Sequence, residues 1–164
     1  MRPSVPTPVR NRFVKIAALT SCVVVLFTSS ALAGPAKLVQ AYASGAIVSQ
    51  QFCSATEVCQ QATVSGTATV LGHFVGTLSE RVDVGNGTYT GSAVFTTSDG
   101  STIATEYTGQ VTPPNQQGRV FFSESHEVVS GTGKYANASG NLNVLGTADA
   151  AGQIQIVGIG TLSK

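Results

Sequence analysis

The chain has 164 residues, 42% hydrophobic and only 10% charged, with no tryptophan and a formal net charge of +1. That length gives room for one domain with one core, and low charge with ample apolar content excludes intrinsic disorder. Beyond residue 33, five Lys and Arg face eight Asp and Glu, a balance of −3 without a basic stripe, which excludes nucleic-acid binding.

The chain opens with an export pattern. Met1 to Lys15 carry bases and no acid, Ile16 to Phe27 are an apolar run, and Thr28-Ser29-Ser30-Ala31-Leu32-Ala33 ends in small-x-small. Residues 1–33 therefore read as a signal peptide and residues 34–164 as a single mature domain, secreted into the extracellular space or the periplasm. The apolar run is too short for a bilayer anchor, so no membrane attachment is expected after cleavage. Leu19-Thr20-Ser21-Cys22 has the look of a lipid-attachment box, but Val23 to Phe27 continue the apolar run beyond the cysteine, where a lipidated cysteine should end it.

Cys53 and Cys59 then remain as an even pair in an exported chain, for which a disulfide is the expectation. Their spacing is too wide for a metal knuckle.

From Lys37 onward the pattern is period two, rich in β-branched residues and broken by turn signals. It gives eight strands: Lys37 to Gln50, Gln60 to Leu71, His73 to Val84, Thr88 to Thr97, Thr102 to Val111, Arg119 to Ser130, Asn141 to Ala148 and Gln153 to Leu162. Gly85-Asn86-Gly87, Ser98-Asp99-Gly100 and Ala150-Ala151-Gly152 supply the hairpin turns between them. Short connections make neighbours antiparallel, and eight such strands close into a β-barrel that leaves no edge exposed. A two-sheet β-sandwich is the alternative all-β arrangement.

Parity assigns the faces. Ala62, Val64, Gly66, Ala68 and Val70 point inward against Thr63, Ser65, Thr67 and Thr69. Tyr89, Gly91, Ala93 and Phe95 do so on the fourth strand, and Ile103, Thr105 and Tyr107 on the fifth. Three ionisable residues share these inner faces: Glu80 with Phe74 and Leu78, and Glu124 and His126 with Phe122. They are the candidate catalytic residues, because a carboxyl in an apolar lumen keeps its proton to higher pH and is able to give it up near neutrality. Tyr89, Phe95, Tyr107 and Phe122 are the candidate ligand-binding residues. Metal binding by Glu124 and His126 needs a third ligand that the sequence does not supply, and no Rossmann or Walker spacing calls for a cofactor. The last strand is apolar on both faces, with Ile154, Ile156 and Leu162 against Val157 and Ile159, which implies that its outer face meets another subunit in a homo-oligomer.

Ser130-Gly131-Thr132-Gly133-Lys134-Tyr135-Ala136-Asn137-Ala138-Ser139-Gly140 resembles the glycine-rich stretch of the allene oxide cyclases and the dirigent proteins. Gly66 to Phe74, Asp99 to Gly109 and Gly158 to Ser163 resemble secreted bacterial proteins of the same superfamily. The resemblance implies a calycin-like eight-stranded barrel whose lumen binds a small hydrophobic or phenolic molecule, with cyclase or isomerase activity, or stereochemical steering, in the enzymatic members. It also implies a trimer, which such families commonly form. Read from its own residues, Gly131 to Gly140 is a barrel connector: its glycines permit tight positive-φ turning, and Tyr135, flanked by the small Ala136 and Ala138, is placed to plug one barrel end. The rival is a structural envelope protein whose lumen is filled by its own aromatics. A lumen of ~300 Å³ or more favours binding, and a solid core favours the rival.

Overall fold

The structure, a computed structural model, describes residues 34–164; the expected signal peptide and Cys22 lie outside the described residues. Eight strands follow in order: β1 (Lys37–Phe52), β2 (Glu57–Ala68), β3 (Gly72–Asp83), β4 (Thr88–Thr97), β5 (Thr102–Val111), β6 (Val120–Gly131), β7 (Ser139–Ala148) and β8 (Gln153–Ser163). Each pairs antiparallel with the next, and β1 pairs with β8, so the sheet closes as a barrel and not as a sandwich. The one helical element among the described residues is a 3-10 turn, Gly133–Tyr135. No helix of the described residues is long and apolar enough to cross a membrane.

Closure follows from the alternation. The inward residues Val39, Ala41, Ala62, Val64, Leu78, Ala93, Ile103 and Leu162 form one buried cluster, while Thr63, Ser65, Thr77, Ser79, Thr90 and Ser92 stand outside in solvent. A register slip of one residue would exchange the two sets, so the pattern fixes the pairing.

The first hairpin is longer than its sequence pattern suggests. β1 continues to Phe52 and β2 begins at Glu57, because Cys53 and Cys59 are joined by a disulfide across the hairpin tip, with their Cα atoms 5.7 Å apart. Further back, Ile47 pairs with Ala62 but Ser49 pairs with Gln61, leaving Val48 as an extra residue. This bulge reverses the parity of β1 beyond it, and so brings Gln50 opposite the inward Gln60.

The two ends of the barrel differ. At one end Tyr135 enters the barrel from the 3-10 turn, fully buried, and its hydroxyl donates to the Val70 carbonyl at 3.1 Å. Gly133, at φ 58°, sits where a Cβ would strike Ser101, so only glycine lets this turn tuck in. The ammonium groups of Lys134 and Lys164 lie 5.2 and 5.1 Å from the Tyr135 ring centre, within cation–π range. Lys134 also pairs with Asp99 at 2.8 Å. The other end carries the β1–β2, β3–β4, β5–β6 and β7–β8 connections and is open.

Candidate functional site

A cavity of about 310 Å³ occupies the open half of the lumen. Its wall is mainly apolar, with Ile47, Val58, Leu78, Val82, Phe122 and Ile154, and Glu80 and Glu124 project into it. Wider hollows of about 790 and 660 Å³ are outer-wall grooves between solvent-facing Ser and Thr residues.

The aromatic residues leave this space open because of where their rings lie. Tyr89 is paired with Gly109, Tyr107 with Gly91, Phe122 with Gly146 and Phe95 with Gly76. A Cβ built on any of these glycines would collide with the ring facing it. Each aromatic therefore lies over a neighbouring strand where a side chain is missing, a cross-strand packing that suits a curved sheet. Phe74 and Phe95 pack edge to face, 5.5 Å apart at 88°, in the closed half.

The polar groups form two hydrogen-bonded chains. In the first, the Gln50 amide donates to Gln60 Oε1 at 3.2 Å, the Gln60 amide donates to Glu80 Oε1, and the Tyr107 hydroxyl donates to Glu80 Oε2 at 3.0 Å. In the second, the Tyr89 hydroxyl donates to Glu124 Oε1 at 2.9 Å, Glu124 Oε2 lies 2.8 Å from His126 Nε2, and His126 Nδ1 lies 3.0 Å from Thr105 Oγ1. With Glu124 as a carboxylate, His126 donates from Nε2 and accepts the Thr105 hydroxyl at Nδ1. The chains meet where the Tyr107 ring stacks on the His126 ring, 4.4 Å between centres at 21°.

Burial dominates the electrostatics. Desolvation raises the Glu80 pKa above its ordinary 4.5, the Gln60 and Tyr107 hydrogen bonds oppose that rise, and the nearby Glu124 adds to it. Tyr89 and Tyr107 are both raised, first by burial and then by the carboxylates beside them, so both phenols stay protonated and act as donors.

Of the residues singled out from the sequence, Glu80, Glu124, Tyr89 and Phe122 line the cavity. His126 sits behind Glu124, buried to 3% exposure. Tyr107 and Phe95 do not line it: Tyr107 holds Glu80 from behind, and Phe95 belongs to the closed-end core. Gln60 and Gln50 join the site and were not foreseen. Parity places Gln60 inward together with Ala62, whereas Gln50 turns inward only through the bulge at Val48. Comparison with protein-family models, with curated proteins and with solved structures finds no match for this chain.

Proposed function

We propose that this chain is an exported barrel of the kind the allene oxide cyclases and dirigent proteins form, and that its lumen binds a small hydrophobic or phenolic molecule. The observation that carries the reading is the 310 Å³ cavity, apolar in its wall and fixed at its inner end by two hydrogen-bonded carboxylates. That combination of apolar lining and few oriented polar groups is what small-molecule sites have in common. The disulfide fits an oxidising compartment. A solid-core structural barrel is disfavoured by the aromatic rings lying over glycines instead of filling the lumen.

A catalytic version draws on one further observation: Glu80, a carboxyl with a raised pKa, and Glu124, backed by His126, face the same cavity. Two carboxyl groups in unlike surroundings at one cavity are what a proton-transfer isomerisation or cyclisation uses.

The reading includes self-association. Tyr42, Val157 and Leu145 stand in one cross-strand row on the outer wall, and with Ile159 and Phe121 they form an exposed apolar strip that suits a second copy of the chain.

Native mass spectrometry of the exported protein, followed by denaturation and analysis of what is released, tests the binding. A bound small molecule in stoichiometric amount is expected. Its absence, together with failure of hydrophobic probes to bind, would overturn the reading.

A further inference from the structure

Among the described residues, those that line the cavity carry charge of one sign, which narrows the ligand-binding reading on which this inference rests. Among its lining side chains Glu80, Glu124 and Asp149 are acids, and no Lys, Arg or His of the described residues joins them. Each oxygen of the two inner carboxyl groups already has a partner. Tyr107 and Gln60 donate to Glu80, Tyr89 donates to Glu124, and His126 holds the remaining Glu124 oxygen.

Each carboxylate oxygen accepts one of these bonds and has a further lone pair. To an incoming molecule the inner end of the cavity therefore offers acceptors. A ligand carboxylate would meet the like charge of Glu80 and Glu124, against which the second N–H of the Gln60 and Gln50 amides offers a neutral donor, weaker than an opposite charge. A neutral hydroxyl would satisfy one lone pair. An ammonium group brings three donors and the opposite charge into a poorly solvated place, where charge-assisted hydrogen bonds are strongest. The apolar wall from Leu78 to Ile154 asks for a hydrophobic body behind that group.

We propose that the lumen takes a small hydrophobic amine in its cationic form, its ammonium end against Glu80 and Glu124 and its apolar body toward the open mouth. Asp149, in the β7–β8 connection at the mouth, favours entry of the cation. Bound in this way, the cation offsets like charge in an interior that holds two carboxyl groups.

Three probes sharing an indole ring distinguish the possibilities by calorimetric titration: tryptamine, tryptophol and indole-3-propionate. Tryptamine is expected to bind at least about tenfold more tightly than tryptophol, and indole-3-propionate to give no measurable binding. Glu124→Gln should weaken tryptamine by about tenfold or more while changing tryptophol little; Glu80→Gln serves the same purpose if the first variant does not fold. Tryptophol binding as tightly as tryptamine would overturn the amine assignment and leave the cavity as a binding site for neutral molecules, and indole-3-propionate binding as tightly would overturn it in favour of an anion. Failure of all three would overturn both readings.

Discussion

Tyr107 and Glu80 face each other from different strands, the phenol donating to the carboxyl at 3.0 Å while burial raises the pKa of both groups. The pair keeps a titratable group in the lumen without leaving it unsatisfied: Glu80 accepts from Tyr107 on one oxygen and from Gln60 on the other. It also ties β3 to β2 and β5 through side chains.

Stability should therefore depend on pH through Glu80. Its folded pKa lies above the ordinary 4.5, so between those values the folded protein holds a proton that the unfolded chain has released. Its contribution is fully present below pH 4.5 and is lost as pH rises through the raised folded value. Glu124, His126, Tyr89 and Tyr107 surround the group and are common to native protein and variant. Glu80→Gln should accordingly gain stability relative to the native protein as pH is raised from about 4 to about 8. Thermal melts across that range check this, and parallel curves would contradict it.

Gly109→Ala separates the aromatic–glycine packing from simple strand preference. In an ordinary strand interior, alanine is better than glycine by roughly 0.5–1 kcal/mol. Here the added methyl meets the Tyr89 ring, and a cost of about 1–3 kcal/mol is expected instead. Tyr89 would be displaced from Glu124 at the same time. Urea unfolding measures the change, and a more stable variant would show that the ring does not need the space.

Tyr135 closes one barrel end, and two substitutions divide its contribution. Tyr135→Phe removes the hydrogen bond to the Val70 carbonyl and should cost about 1 kcal/mol. Tyr135→Ala empties a fully buried position and should cost about 3–5 kcal/mol. Equal losses in equilibrium unfolding would mean that the ring does not act as a plug.

On the outer wall, Val157→Asp places a charge in the middle of the Tyr42–Val157–Leu145 row. Sedimentation should show the native protein as a dimer or trimer and the variant as a monomer with unchanged circular dichroism. A native monomer at all concentrations would remove self-association from the proposed function.

Much of the fold is legible in the sequence because a barrel strand states its own orientation. The run from Ala62 to Val70 alternates so clearly that facing and antiparallel order follow from it, and Tyr135, alone among small residues, marks itself as an end plug. Glu80, Glu124 and His126 fall on inner faces by the same parity. Pairing register is not local, so which glycine receives which ring could not be read, nor that the aromatics would line the wall and leave space. The bulge at Val48 breaks the parity rule itself and hides Gln50.

The most direct measurement is a calorimetric titration of 1-naphthol, a neutral hydrophobic phenol, into the native protein and into Ala148→Phe. Ala148 lines the cavity, and a phenyl group there would occupy the lumen. One molecule of 1-naphthol should bind per native chain, with at least about a tenfold loss of affinity in the variant. Equal binding to both proteins, or to neither, would contradict an open, ligand-binding lumen.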